Sequence, residues 1–411
     1  MIEVNSRQFR TAAALAARVV ETRNTIPVLG ALRARANGRL ELSGTDLDIE
    51  VTVTAPLIEP MAREKLFLIP EHRFLTKALA AGGGASVRIS PDQPGAGDEK
   101  GKTGFSSGDL SVDMVQTSNI DDWPAQHLAV ATPAMRATLG ADHLRQIARV
   151  MPAMSIEETR YYLNGVYIHH VAGWHWRAVA TDGHRMMVAE LSLPDAEPCV
   201  DMTGSDGVII PRKGLTVALA LLTKAGDGAS AMALGEGLRV NADHDLAPEK
   251  PTCRNRWQFT GANGDHHVSI AGKVIDGTYP DYSRVIPQAQ SASMIVDLKA
   301  LRRALNAVSW RAAQRHLRAI SLTFGKGEVS VGLASAEGLA ATMRVACRHD
   351  CPPGFRIGFN GQYLLTALNA LTGEEALFGF GGGNGADSFS PVTIRDPADT
   401  TFLNVIMPMR V

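Results

Sequence analysis

Three stretches of the chain begin at or beside a polar capping residue and then carry apolar side chains at helical spacing: NSRQFRTAAALAARVVE from Asn5, ADHLRQIARVM from Ala141 and DLKALRRALNAVS from Asp297. Leu298, Leu301, Leu305 and Val308 fall on one stripe, as do Leu144, Ile147, Ala148 and Met151, which is the period of an amphipathic helix. A second helix is predicted some 60–70 residues after each start, entered from a strand-like run: LIPEHRFLTKALAAG, IIPRKGLTVALALLTKAG and IGFNGQYLLTALNALTG. Counted from Pro70, Pro211 and Asn360, apolar residues recur four and eight positions on, at Phe74 and Ala78, Leu215 and Leu219, Leu364 and Leu368. Gly82, Gly226 and Gly373 are placed to close these helices with a left-handed cap. Alternating runs such as LELSGTDLDIEVTV, FSSGDLSVDMV, LTFGKGEVSVGL and FSPVTIRDP read as antiparallel strands and hairpins. The pattern predicts an α+β protein of three repeats, each two helices packed on antiparallel strands, with domains over 1–131, 132–290 and 291–411. Polar stretches at 90–104, 241–256 and 380–388 read as exposed loops.

With 411 residues, 45% hydrophobic and 20% charged, the chain has the composition of a soluble globular protein of two or three domains. No apolar signal segment opens it, and the run LTVALALL at 215–222 is too short to span a bilayer, so a cytoplasmic location without membrane contact is expected. Cys347, His349 and Cys351 cluster, but no second half of a zinc site follows, so reduced structural thiols and no metal or cofactor are expected. The net charge of −1 argues against nucleic acid until its distribution is considered. Five predicted helical segments (5–23, 69–81, 141–151, 211–224 and 297–318) hold 17 Lys or Arg against four acids, in a chain of 41 basic and 42 acidic residues. Solvated helix faces explain charge, but not such an excess of one sign. A shared basic surface suited to a polyanion such as duplex DNA does. The segment 359–373 has no Lys or Arg, so that surface is not uniform.

The run ATDGHR at 180–185 places Asp182 and His184 two apart, beside Arg185, between two apolar runs. An acid–base pair is one reading of it. The other is a tight turn, since Asp-Gly favours the positive φ a reversal needs. No GxSxG, HExxH or P-loop supplies a partner for catalysis. His169–His170 and His266–His267 are adjacent within strand-like runs, so each pair points to opposite faces. Asp182 is therefore expected to be a turn former, with His184 and Arg185 on the rim of a groove.

ATDGHR resembles the signature hairpin of the bacterial sliding clamps, the beta subunits of DNA polymerase III. Further blocks match in order: TIPVLG (25–30), LSGTDLDIEV (42–51), IDDWP (120–124), RYYLNGV (160–166), VIIPRKG (208–214), VIDGTYPDYSRVIP (274–287), GFNGQYLLTALNAL (358–371) and VIMPMRV (405–411). The resemblance implies the DNA clamp fold, in which two three-domain chains close head to tail into a homodimeric ring with basic helices lining the hole. It implies a non-catalytic processivity factor that encircles double-stranded DNA without sequence preference. Arg23, Arg160, Tyr161, Tyr162 and Lys213 match positions near DNA. It also implies a groove for short peptides from the polymerase III alpha subunit, the clamp loader, other polymerases and repair proteins. The groove's floor would include Leu163, Thr181, Met186, Pro280, Val285, Val405, Met407 and Met409, with Pro408 shaping the wall. Gly183, His184, Arg185, Arg284, Asn360, Tyr363 and Arg410 would form its rim. Met186 stands where the family usually has leucine, and Phe389 and Pro391 lie where smaller residues are common, which would narrow one end. These departures motivate an alternative, a specialised second clamp for another polymerase set or one resisting a pocket-directed inhibitor. The dimer contact would involve strands near 103–115 and the helix from Asp297.

Overall fold

Each repeat follows the same order: a strand, a helix, three strands, a strand, a second helix and three more strands. The middle repeat adds a two-residue strand, Glu197–Pro198. The computed structural model describes all residues except 62, 92–100, 125–127, 199–206, 223–229, 238–255, 310–318, 335–339 and 382–385. Most of the polar stretches predicted as loops therefore lie outside the described residues. The helices are α1 (Ser6–Ala16), α2 (His72–Gly82), α3 (Ala141–Val150), α4 (Arg212–Leu222), α5 (Leu298–Ser309) and α6 (Gly361–Asn369). None of them is long and apolar enough to cross a membrane.

The helix starts obey the capping chemistry of the sequence. Asn5 accepts from the backbone N–H of Arg7 and Gln8, Asp297 accepts from Ala300, and Asn360 accepts from Gln362 and Tyr363. The stripe of Leu298, Leu301, Leu305 and Val308 is buried, as the periodicity requires. The spacing in α2 differs from expectation. Leu75 and Leu79 face inward, while Phe74 is exposed. The reason is one extra residue at the entry: α4 and α6 begin one residue after Pro211 and Asn360, but α2 begins two after Pro70, which turns its inward face by one position. The left-handed closing glycine is Gly83 rather than Gly82. Helix α6 ends in right-handed backbone at Ala370, so Gly373 is not its cap, and Gly226 lies outside the described residues.

The chain divides into two compact units, one of Met1–Leu144 and Leu193–Asp276, the other of Arg145–Ser192 and Gly277–Val411. Each unit is held by a sheet that runs from one repeat into the next. In the first, strand His266–Lys273 pairs with Ile49–Pro56 of the preceding repeat, and a separate four-stranded sheet ends on Leu110–Val115 as an edge strand. In the second, Asp399–Ile406 pairs with Arg185–Ser192.

The basic helices are not uniformly basic surfaces. Helix α1 stops at Ala16, leaving Arg18 and Arg23 beyond it, exposed. Arg7, Arg73, Lys77, Lys299 and Arg303 are exposed on helices, but Arg149 and Arg302 are half-buried and spent on structure. Arg302 donates to the carbonyls of Leu368 and Leu371 at the end of α6, where the helix dipole favours a cation. Arg149 donates to Ala370, pairs with Asp399 at 2.9 Å and lies 3.8 Å over the Phe402 ring. Lys224, Arg311, Arg315 and Arg318 lie outside the described residues.

His72, the first residue of α2, is buried in the wall of a 270 Å³ cavity that Glu21, Gly30 and Arg73 also line. Burial, reinforced by the Arg73 charge, pushes His72 down to about 4 from its ordinary 6.5. Between those values the unfolded chain binds a proton that the folded chain refuses, so stability is complete above the ordinary value and is lost as pH falls toward about 4. Thermal melts at pH 7.5, 6 and 5 are expected to show this decline, and His72→Gln to flatten it. Equal acid slopes in the two proteins would remove His72 as the cause.

Candidate functional site

The hairpin Thr181–Arg185 joins strands His175–Thr181 and Arg185–Ser192, with Thr181 opposite Met186. Asp182 Oδ1 accepts from the backbone N–H of His184 and Arg185, and the Thr181 hydroxyl donates to the Arg185 carbonyl while accepting from Gly183. Gly183 carries the positive φ, +88°, that lets the chain reverse. Asp182 Oδ2 holds the Arg185 guanidinium at 3.0 Å. Every lone-pair direction of Asp182 in use serves the turn, so the Asp182–His184 spacing builds structure and not an acid–base pair. His184 is left exposed at the tip. Arg185, expected on the rim, is half-buried: besides Asp182 it donates to the Pro152 carbonyl and stacks 4.3 Å from the Tyr363 ring.

The C-terminal tail is fastened to this hairpin. Val405 lies across from Met186 in the ladder between Arg185–Ser192 and Asp399–Ile406, and both are buried. One step on, Met407 N–H donates to the His184 carbonyl at 2.9 Å, and Met409 N–H donates to Gly358 at 2.9 Å. Gly358 has no room for a side chain, because a Cβ there would sit 2.4 Å from the Met409 oxygen. Two steps after Gly358, Asn360 opens α6, which carries Tyr363 under Arg185. Tail, hairpin tip and helix start thus form one hydrogen-bonded constellation. Met407 and Met409 remain 36% and 40% exposed on it, with Pro408 between them and Arg410 exposed beyond. Leu163 is buried, and its carbonyl accepts from Ser155 in the segment that Arg185 also reaches.

The segment from Gly277 is anchored by Tyr279. Its ring stacks on Tyr167 with centroids 4.6 Å apart, and its hydroxyl donates to the Val179 carbonyl of the strand leading into the hairpin. Burial pushes that phenol's pKa up. Pro280, Arg284 and Val285, on the same segment, are exposed, and Arg284 pairs with its own Asp281 at 2.8 Å. Phe389 is 70% exposed on a turn whose N–H groups at Phe389 and Ser390 are held by Asp387. Pro391 is half-buried and leads into strand Val392–Asp396, whose Val392 faces Ile406. Of the expected floor, Leu163, Met186 and Val405 lie beneath the surface. Val285, Met407, Met409 and Phe389 leave apolar area exposed.

The same turn is built a second time, in the first unit. At Thr45–Ile49 the Asp46 Oδ1 accepts from Asp48 and Ile49, and the Thr45 hydroxyl donates to the Ile49 carbonyl while accepting from Leu47. Leu47 takes the position of Gly183 with φ +78°, a left-handed backbone that is costly for leucine. Here too the following strand end is tied in: Lys273 N–H donates to the Asp48 carbonyl and Ile275 to Ile209. The side chains differ. Where the second unit offers methionines, the first has Lys273 paired with Asp48 at 2.9 Å and Lys213 paired with Asp46 at 2.5 Å and Glu21 at 3.2 Å. The shared Thr-Asp of GTDLDI and ATDGHR is the sequence signal for this repetition and for Asp46 as a turn former, but it gives no sign of Glu21 or of the pairing with Lys213.

Arg23 and Tyr161 are exposed; Tyr162 is half-buried, edge-on to Tyr161 at 5.9 Å and in contact distance of Gly277. Arg160 grips Glu157 through Nε and Nη2, which holds its pKa above the ordinary range, and its guanidinium lies beside Gly183. His169 bonds the Tyr282 hydroxyl, His170 the Gly173 carbonyl, His266 the Thr54 carbonyl and His349 the Gly325 carbonyl, so each of these rings has a structural partner.

Comparison with known proteins gives one consistent result. Residues 1–95, 139–281 and 283–410 match the family models for the N-terminal, central and C-terminal domains of the DNA polymerase III beta subunit. The beta sliding clamp of Caulobacter vibrioides is 32% identical over 407 residues, covering 96% of this chain and 95% of the relative. That of Escherichia coli K12 is 27% identical over 392 residues, covering 94% and 93%. Among solved structures, the Bartonella birtlesii sliding clamp bound to griselimycin aligns with a TM-score of 0.79 and 29% identity over 100% of this chain and 99% of that one. The Pseudomonas aeruginosa beta subunit aligns with a TM-score of 0.81 and 25% identity over 100% of both chains.

Proposed function

This chain belongs to the DNA polymerase III beta-subunit family and works as a DNA sliding clamp, a non-catalytic processivity factor, and we propose how its own residues do so. The relatives compared, from Caulobacter vibrioides, Pseudomonas and Escherichia coli, are beta sliding clamps, which does not favour the alternative of a specialised second clamp. We place the domains at 1–131, 132–290 and 291–411, one repeat to each, with the opening strand of the second repeat, Val130–Leu139, starting just before the first boundary. Within the chain, the third strand after a repeat's first helix pairs with the last strand of the next repeat, at Ile49–Pro56 with His266–Lys273 and at Arg185–Ser192 with Asp399–Ile406. The corresponding strand of the third repeat is Ala340–His349, and the corresponding last strand of the first is the edge strand Leu110–Val115. Pairing these two between copies, once in each direction, closes a head-to-tail ring of two chains. Double-stranded DNA would pass through it, with Arg23, Arg160, Tyr161, Tyr162 and Lys213 meeting the phosphate backbone. Such contacts carry no sequence information and permit sliding.

The observation that carries the peptide-binding reading is the tail: Met407 and Met409 stay exposed while their backbone is pinned between the hairpin tip and Gly358. Flexible, polarizable methionines on a fixed backbone suit short peptides of differing sequence. Met407, Pro408, Met409 and Arg410 with Val285, Pro280, Arg284, His184 and Gly183 would form the surface, over Leu163, Thr181, Met186 and Val405. Arg185, Tyr363 and Asn360 hold its shape, and Phe389 and Pro391 border it. The ligands would be short segments of the polymerase III alpha subunit, the clamp loader, other polymerases and repair proteins, in the cytoplasm. Purified protein is expected to run at twice the chain mass and to stay on nicked circular DNA after loading while sliding off linear DNA. A monomer at micromolar concentration, lost equally from both DNAs, would overturn the reading.

A further inference from the structure

Lys213, read above as a DNA contact, is already paired within the chain and reaches a phosphate only by exchange. Its ammonium is shared by two carboxylates that belong to different elements, Asp46 in the Thr45–Ile49 turn and Glu21 in the segment after α1. The two differ in kind. The Asp46 side chain is 5% exposed, its Oδ1 is committed to the N–H groups of Asp48 and Ile49, and its Oδ2 faces Lys213. It is a fixed part of the turn, and it positions the lysine. Glu21 is 47% exposed and reaches Lys213 at 3.2 Å.

We infer that Glu21 is a brake on the DNA grip of this clamp, competing with backbone phosphate for the Lys213 ammonium. The inference rests on the reading of Lys213 as a DNA contact. The trio of Glu21, Asp46 and Lys213 carries a net charge of −1, so an approaching phosphate meets a lysine already over-neutralised. To bind, it must displace a carboxylate. Asp46 cannot leave without undoing the turn, whereas an exposed ion pair is weak and exchangeable, so Glu21 is the one displaced. Burial opposes it, but the hydrogen bonds the Lys213 ammonium donates to Asp46 and Glu21 hold its pKa above the ordinary range, consistent with a cation kept charged and occupied. The functional sense is mechanical. A ring that must slide gains from cations that attract phosphate at a distance but are slow to lock onto any one of them, and a resident carboxylate does this by making each phosphate contact an exchange.

The test uses the full-length protein and a short fluorescent DNA duplex titrated between about 50 and 200 mM NaCl, the range over which phosphate contacts are most salt-sensitive. Glu21→Gln is expected to tighten duplex binding about 2–5-fold, the scale of one exposed ion pair. It is also expected to steepen the slope of log affinity against log salt by up to about 0.9, one more phosphate contact. In a Lys213→Ala background the same substitution is expected to do neither. If Lys213→Ala weakens binding while Glu21→Gln changes nothing, the brake is overturned and the lysine's role stands. Should Glu21→Gln tighten binding equally in both backgrounds, the carboxylate acts by general repulsion and the inference is again lost. No effect of Lys213→Ala removes the DNA contact itself, and the brake with it.

Discussion

Deleting Met407–Val411 is expected to reduce affinity for a clamp-binding peptide by about 10-fold or more and to lower the melting temperature by several degrees. Both effects follow from where these residues stand. Met407, Met409 and Val411 are 36%, 40% and 48% exposed, so the folded protein buries more than half of each and leaves the rest for a ligand. A methionine is worth about 1.5–3 kcal/mol when fully buried, so covering the exposed part of both is worth about 1–2 kcal/mol together. The tail's fixed backbone, held by His184 and Gly358, adds to this by removing ordering cost from the binding step. Isothermal titration with a short peptide from the polymerase alpha subunit measures the loss. Unchanged affinity would show that the groove lies elsewhere on the chain. A fall in melting temperature with affinity unchanged would show that the tail is a structural strap only.

Arg149→Ala is the substitution expected to cost the most stability, about 2–4 kcal/mol, although its place on a basic helix marks it in the sequence as a cation facing DNA. Its side chain is 13% exposed, and the guanidinium makes four kinds of contact: the Ala370 carbonyl, Gln146, Asp399 and the face of Phe402. Truncation leaves Asp399, itself 20% exposed, without its cation and the last carbonyl of α6's end without a donor, and stranding one member of a partly buried pair costs more than the pair is worth. Burial works against it, yet the Thr401 hydroxyl and the Arg149 guanidinium hold the Asp399 carboxyl below the usual carboxylate range. A depressed carboxyl contributes stability above its unfolded-state pKa and loses it as pH falls through the folded one. The deficit of Arg149→Ala is therefore expected to be full at neutral pH and to shrink below about pH 4. Urea denaturation at several pH values reads this directly, and a deficit under about 0.5 kcal/mol at pH 7, the usual size of a surface change, would return Arg149 to the solvent-facing cations.

The repeated Thr-Asp turn gives a reason why one repeat boundary would bind peptides and the other would not. Both boundaries are built on that turn and a pinned strand end, but Lys273–Asp48 and Lys213–Asp46–Glu21 fill the first with charge pairs. The second carries methionines and an exposed valine at the matching surface. Repetition supplies the backbone twice, and side chains set which copy exposes apolar area and which is closed by ion pairs.

Much of this was legible in residue order. Helical stripes such as Leu298–Leu301–Leu305–Val308, the polar caps at Asn5, Asp297 and Asn360, and the Asp-Gly reversal at 182–183 are local properties, because a backbone hydrogen bond or an amphipathic face is satisfied by residues a few positions apart. Residue order settles these, together with the threefold repetition they spell out. Other features took their form only when distant segments met. Folding made Leu75 rather than Phe74 the inward residue, spent Arg149 and Arg302 on helix ends, and placed Glu21 and Asp46 on Lys213. The difference is one of range. A charge is defined in a sequence only by its sign, and whether it pairs, caps or waits for a ligand depends on partners far along the chain that folding brings within about 4 Å.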